Sequence, residues 1–256
     1  MSVEMTREGE IATITIDRPR AMNALDADTL RGLQDAVRGL AGAPPRVVVL
    51  ASAGERVFVA GADIAAMSTM TPEEAREFAL LGHATFDAIE RLPSIVVAVV
   101  QGAALGGGCE LSLACDLVIA SEKARFGQPE TNLGLIPGFG GCSRLLRRVG
   151  VAAARELIYS GRLIDAAEAR TLGLVNRIAA PEDLRKEAAA WAAELATRPP
   201  LACARAKVAL AAAETSDARS AQAVEVEGFA GLFGAEDTRE GLSAFLEKRP
   251  AEFKGR

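Results

Sequence analysis

The stretch Ser94-Ile-Val-Val-Ala-Val-Val-Gln-Gly-Ala-Ala-Leu-Gly-Gly-Gly-Cys-Glu110 changes character twice. Its first seven residues form a near-continuous β-branched run, the pattern of a strand buried on both faces. Gly102 to Gly108 then holds four glycines in seven residues, and a short amphipathic segment, Cys109 to Cys115, follows. Leu117 to Ala120 reads as the next strand. Strand, glycine turn, helix and strand in this order indicate an α/β fold with buried strands.

The neighbouring segments extend the pattern. Ile11 to Ile16 alternates as a strand and stops at Asp17-Arg18-Pro19. Asp26 to Leu40 carries Leu30, Leu33, Val37 and Leu40 at helical spacing, with Asp26 as N-cap. Val47 to Leu50 is a short buried strand, and Val57-Phe58-Val59 leads into Ala60-Gly61-Ala62-Asp63. Thr71-Pro72-Glu73-Glu74 opens a helix with a cap, an N1 proline and a capping-box glutamate. That helix places Phe78, Leu81, Thr85 and Ile89 on one side and ends at Pro93. After Gly141 the pattern turns helical, with Asp165-Ala-Ala-Glu168 as a second capping box and Gly173 as a C-cap. Helices rich in Ala and Glu run from Pro181 to the end, and no internal sequence repeat is visible.

Composition narrows the function classes. The chain has 256 residues, half of them hydrophobic and 25% charged, with one Trp and one Tyr. The core therefore rests on Ala, Val, Leu and Ile. A net charge of −5 argues against a nucleic-acid footprint. The longest apolar run is too short to span a bilayer, and the N-terminus lacks the pattern of a signal peptide. The four cysteines show no CxxC spacing, so a cytoplasmic location with free thiols is expected. A single histidine, His83, leaves no histidine-built metal site, and no GxSxG elbow accompanies it.

Three constellations carry possible chemistry. In Phe58-Val-Ala-Gly-Ala-Asp-Ile64, small residues after a strand uncover backbone N–H groups; a tight turn with an Asp cap is the plainer reading. In Gly102 to Glu110, glycines before a helix expose its first N–H groups to an anion or a developing oxyanion, or simply allow close packing. The glycines are contiguous, so a G-x-G-x-x-G dinucleotide fingerprint fails. In Phe126-Gly-Gln-Pro-Glu130 and Gly134-Leu-Ile-Pro-Gly-Phe-Gly-Gly141, Glu130 stands beside apolar residues, which would raise its pKa; an exposed loop glutamate is the alternative. Glu110 in the first turn of a helix could equally serve the helix dipole.

Taken together, these stretches resemble the enoyl-CoA hydratase/isomerase, or crotonase, family over nearly the whole chain. The resemblance rests on Asp17 to Leu25, Val59 to Ile64, Gln101 to Leu111, Ala114-Cys-Asp116, Phe126 to Glu130, Ile136 to Gly141, Ala167 to Val175 and the terminal Phe245 to Phe253. It implies an α/β superhelix of repeated ββα units, with a spiral core over residues 1–195 and a helical oligomerisation region over 196–256. It implies an oxyanion hole from the amides of Ala62 and Gly107, and catalytic roles for Glu110 and Glu130. Arg20, Ala21, Met22, Ala60 and Ile64 would lie near the adenine end of coenzyme A, and Lys254 would reach the nucleotide from a neighbouring subunit.

The motifs are most similar to enoyl-CoA hydratase / 3-hydroxyacyl-CoA dehydratase. The implied reaction is reversible hydration of 2-enoyl-CoA, with an acyl-CoA thioester as substrate and no separate cofactor or metal. The implied assembly is a homo-trimer or a hexamer, with neither nucleic acid nor membrane as partner. Alternatives are an isomerase of the same family, which shuttles one proton with one carboxylate, and a noncatalytic acyl-CoA-binding protein. Both acid positions are filled by Glu, which favours hydration. One departure is Cys142, where many members have Thr.

Overall fold

The computed structural model describes residues 2–256. β1 (Val3–Glu8) and β2 (Ile11–Ile16) form an antiparallel hairpin, and Ala12, Ile14 and Ile16 point into the core. α1 (Ala27–Leu40) begins where Asp26 accepts the Thr29 N–H, and it buries Leu30, Leu33, Val37 and Leu40. Each such side chain contributes about 1.5–3 kcal/mol through burial.

Three further units follow one plan. The first is β3 (Val47–Ser52), β4 (Val57–Val59), α2 (Ile64–Met67) and α3 (Pro72–Glu90). The second is β5 (Ile95–Val100), β6 (Ala103–Leu105) and α4 (Gly107–Leu113). The third is β7 (Leu117–Ser121), β8 (Arg125–Gly127), a 3-10 turn (Pro129–Leu133) and α5 (Gly141–Ser160), which breaks helical geometry at Gly150. β9 (Ile164–Asp165), α6 (Ala166–Thr171), β10 (Arg177–Ala179) and α7 (Leu184–Ala196) complete the core. Three helices end the chain: α8 (Pro200–Thr215), α9 (Ala218–Leu232) and α10 (Glu236–Glu247).

The first strand of each of these three units joins a six-stranded sheet of order β1-β2-β3-β5-β7-β10, parallel from β2 onward. The second strand joins a four-stranded sheet of order β4-β6-β8-β9. Each unit thus advances one place in both sheets, which winds the chain into a superhelix of ββα turns. The N-terminal unit departs from the plan, because both its strands enter the large sheet.

β5 is buried on both faces, as its composition predicts. Val96, Ala98 and Val100 face the main core, while Val97 and Val99 lie under Leu184, Ala188 and Trp191 of α7. The structure differs from the sequence reading in three places. β6 runs inside the glycine-rich stretch, where Ala103-Ala-Leu105 becomes a strand by pairing with β4 and β8. α4 is not amphipathic, since all seven of its residues are buried. At α6, Asp165 accepts the Glu168 N–H (2.8 Å), but the Glu168 carboxylate turns to Arg162 instead of closing the capping box. No helix among the described residues is long and apolar enough to cross a membrane.

Candidate active site

The site forms where the C-terminal ends of β4, β6 and β8 turn outward. After β4 the chain runs through Ala60-Gly61-Ala62-Asp63, which the earlier segment around Met22 to Leu25 clasps. The Ala60 N–H donates to Met22 O (3.1 Å), the Leu25 N–H to Gly61 O (2.8 Å) and the Asp63 N–H to Leu25 O (2.9 Å). Met22 and Asn23 reach this geometry in the left-handed region, with φ 52° and 56°. The Asn23 amide compensates by donating to Ala53 O and Val57 O, and its oxygen accepts the Arg18 N–H. Arg18 ties the clasp at 2.9 Å from Asp26 and 3.4 Å from Asp63.

Gly107, at the start of α4, faces this segment. A methyl group added to Gly107 would lie 3.3 Å from the Ala62 nitrogen, from Leu25 Cδ1 and from Phe139 Cδ2. Among the described residues neither the Ala62 nor the Gly107 N–H has an acceptor. Two donors without an acceptor thus lie close together beside Leu25 and Phe139, the kind of pair that can stabilise an oxyanion.

Glu110 lies one turn further along α4 and is 1% exposed. Its Oε1 accepts two N–H bonds, from Phe139 (2.8 Å) and Gly141 (2.7 Å), so its direction is set by backbone. Glu130 sits on the 3-10 turn, half-buried. The amide of Gln128, oriented with its nitrogen towards Glu130, donates to both carboxylate oxygens at 3.1 and 3.2 Å. Gly106 is required here: at φ 49° a side chain is strained, and its Cβ would meet Glu130 Oε1 at 2.7 Å.

Burial pushes the Glu110 carboxyl up to about 7. The Glu130 charge adds to this, while the Gly141 and Phe139 N–H groups and Arg144 oppose it. Burial also raises Glu130 above the usual carboxylate range. Burial thus makes both carboxyls resist ionisation, and the Glu130 charge further disfavours charge on Glu110. Among the described residues no three metal-ligating side chains converge.

The residues expected to carry chemistry come together: Gly107 lies beside the Ala62 nitrogen, Gly106 beside the Glu130 carboxylate, and the Glu130 charge bears on Glu110. Arg20, Ala21 and Met22 form and follow the 3-10 turn Pro19–Ala21, and Ala60 is bonded directly to Met22. Met22 and Ile64 are exposed beside it. Lys254 is placed elsewhere. Its N–H donates to Asp237 Oδ1 (2.6 Å), and Phe253 O accepts from Arg46, which precedes β3 at the opposite end of the sheet. Within one chain, Lys254 is thus not part of the pocket.

Sequence reasoning assigned no role to four residues that build the pocket. Gln128 steadies Glu130, and Gly141 supplies an N–H to Glu110. Gly82 on α3 makes room for Phe139, whose ring would collide with any Cβ there (2.1 Å) and stacks edge-on against Phe78 and Phe86. Arg144 donates to Phe139 O from behind. The glycine run before α5 was the available signal for Gly141; Gln128 stands two residues from Glu130, but the direction of its amide is set by folding, and Gly82 meets Phe139 and Arg144 meets Glu90 only across the chain.

The sequence and the fold are both similar to those of known proteins. The sequence model of the enoyl-CoA hydratase/isomerase family matches residues 6–256. The chain is 42% identical over 253 residues to a crotonyl-CoA hydratase of Syntrophomonas wolfei, covering 98% of this chain and 97% of that one. It is also 42% identical over 257 residues to a short-chain-enoyl-CoA hydratase of Clostridium acetobutylicum, covering 100% and 98%. An enoyl-CoA hydratase structure from Bacillus anthracis superposes with a TM-score of 0.96 at 38% identity, covering both chains fully. With the family's sequence model matched over residues 6–256 and the fold matched over the whole chain, this chain belongs to the enoyl-CoA hydratase/isomerase family.

Proposed function

We propose that this protein hydrates 2-enoyl-CoA thioesters to 3-hydroxyacyl-CoA, or runs the reverse dehydration, with Glu110 and Glu130 as the acid–base pair. The observation that carries the reading is the juxtaposition of two acids of raised pKa with the unpaired N–H groups of Ala62 and Gly107.

The thioester oxygen accepts from Ala62 and Gly107 and gains negative charge as the enolate forms. Each donor stabilises that charge by about 3–4 kcal/mol in comparable sites. Glu110 holds its Oε1 against the Phe139 and Gly141 N–H groups, which leaves Oε2 to take a proton from the water that attacks the β-carbon. Glu130, protonated and steadied by Gln128, delivers a proton to the α-carbon. Leu25 and Phe139 keep the pocket apolar, which strengthens the charge contacts inside it. Coenzyme A enters as part of the substrate, its adenine end against Arg20, Ala21, Met22, Ala60 and Ile64. Short straight acyl chains are the preferred substrates, a reading supported by the names of the two 42%-identical relatives.

The spiral core spans residues 1–195, and residues 196–256 mediate assembly into a trimer or a pair of trimers. Exposed Phe229, Phe233, Phe245 and Leu246 support that assembly. In it Lys254 reaches the nucleotide of the adjacent subunit. The four cysteines are free thiols, which suits the cytoplasm. The test is a panel of enoyl- and 3-hydroxyacyl-CoA thioesters read by mass spectrometry. Gain or loss of water on short-chain members is expected; no exchange of water with any member would overturn the reading.

A further inference from the structure

Glu110 is aimed by a turn that is itself held from the far side. Phe139-Gly140-Gly141 runs between the Glu110 carboxylate and the guanidinium of Arg144. The N–H groups of Phe139 and Gly141 donate to Glu110 Oε1, and Phe139 O accepts from Arg144 Nη1 at 2.9 Å. Gly140, at φ 103°, leaves the space in which the guanidinium lies, since a Cβ there would meet Nη1 at 2.2 Å.

The guanidinium has no freedom to drift. Its side chain is 4% exposed. Glu90 Oε2 accepts from Nε (3.0 Å) and Nη2 (2.8 Å), and Asp87 Oδ1 accepts from Nη2 (2.6 Å). Both carboxylates stand on α3, a helix fixed against the core by Phe78, Phe86 and Ile89. All three guanidinium nitrogens are therefore committed, two to α3 and one to the turn. A salt bridge that served only to pin α5 to α3 would not need the third bond, which goes to the residue whose N–H holds the catalytic carboxylate.

We propose that Arg144 is a positioning residue: through the carbonyl of Phe139 it holds the two N–H groups that aim the Glu110 carboxylate at water. The proposal rests on the hydration reading for its kinetic consequence but not for its geometry. The charged and titratable groups around Glu110 are Glu130 from the 3-10 turn, Arg144 and Cys142 from α5, and Cys109 from α4. Those around Arg144 are Asp87, Glu90 and His83 on α3, with Arg147 on α5 reaching both Glu90 and Glu214. Among the described residues, Arg144 is the cation that bears on Glu110.

The experiment has an arm that needs no turnover. Glutamate labelled with ¹³C at the carboxyl is titrated by NMR, with the Glu110 signal assigned by its loss in Glu110→Gln. In Arg144→Gln the Glu110 midpoint rises by about one unit, because a cation is lost and the N–H donors loosen. On crotonyl-CoA, kcat of that variant falls about 10²-fold while KM stays near wild type, the signature of a misplaced catalytic group. Arg144→Lys keeps the charge without the planar fork, so it returns the titration towards wild type and leaves kcat depressed. Glu90→Gln removes one anchor and lowers kcat about fivefold; it carries the test should Arg144→Gln not fold. A folded Arg144→Gln or Glu90→Gln with wild-type kcat and an unmoved Glu110 midpoint overturns the proposal. A wild type that hydrates no thioester refutes the hydration reading instead, and the carboxyl titration still decides what Arg144 does.

Discussion

Residues 94–141 and the hairpin of α8 and α9 use similar small, apolar residues to opposite effect. In the first region β5 is covered on both faces and α4 on every side, and among the described residues no buried side-chain polar atom lacks a partner. In the second, neither α8 nor α9 buries a single residue. Phe229 and Phe233 stack edge-on at 5.2 Å yet remain 66% and 56% exposed. The hairpin's attachment to the core is partly polar: Lys207 donates to Asp116 Oδ2 (2.7 Å) and Ser94 O (3.2 Å). One region is finished within a single chain and can hold acids at unusual pKa values. The other presents an apolar surface of the kind that marks a protein interface.

The sharpest way to break this contrast is to remove the acids. Glu110→Gln and Glu130→Gln should each lower hydration by about 10²–10⁴-fold with little change in product binding. The double variant should be scarcely worse than either, because the two acids act as a unit. Near-normal hydration by Glu110→Gln would refute its water-activating role and favour an isomerase. Next in size is Gly107→Pro, which deletes one oxyanion donor and should cost about 10²–10³-fold in kcat. Circular dichroism must first establish that the variant folds, and a folded, active variant would mean that the donor is elsewhere.

Acidity gives a graded test. If Glu110 takes a proton from water, kcat/KM for hydration falls about tenfold per unit as pH drops below about 7. The limb belongs to the Glu110–Glu130 pair, not to one residue. Stability should move in the same window. The Glu110 carboxyl binds its proton more tightly folded than unfolded, so its penalty on stability is absent below about 4.5, grows as pH rises, and is complete above about 7. Glu110→Gln lacks that penalty and should gain up to about 3 kcal/mol at pH 8 relative to pH 4. Denaturant melts at the two pH values would show whether the difference exists.

The smallest expected effect sharpens the other half of the comparison. Sedimentation should find a trimer or a multiple of it, and Phe229→Asp with Phe245→Asp should shift it towards monomer while leaving the core's circular dichroism intact. Lys254→Ala should raise KM by about three- to fivefold without altering kcat. A stable wild-type monomer at micromolar concentration would remove both the assembly and the trans role of Lys254.

Much of the architecture was legible because it is local. Asp26 caps α1, Thr71 and Glu74 form the capping box of α3, and the β-branched run of β5 is buried on both faces, each as its residues predict. What escaped was non-local. Ala103-Ala-Leu105 has no strand signature and becomes β6 only because β4 and β8 flank it. The repeat of ββα units leaves no trace as repeated residues, since each unit meets different neighbours and fills its contacts with different side chains.

The site divides along the same line. The sequence by itself determined the family to which the chain belongs and, through that resemblance, named Glu110 and Glu130 as candidate acids and Gly107 as a candidate oxyanion donor, because the family's motifs are residue types at fixed spacings. Only the tertiary structure decided that Phe139 and Gly141 aim Glu110, that Gln128 steadies Glu130, and that Arg144 backs the turn from α5 while Glu90 anchors it from α3. Those partners are separated along the chain by up to 54 residues in the hydrogen bonds that join them. Their roles depend on burial and direction, which arise when the chain packs and have no counterpart in the order of its residues.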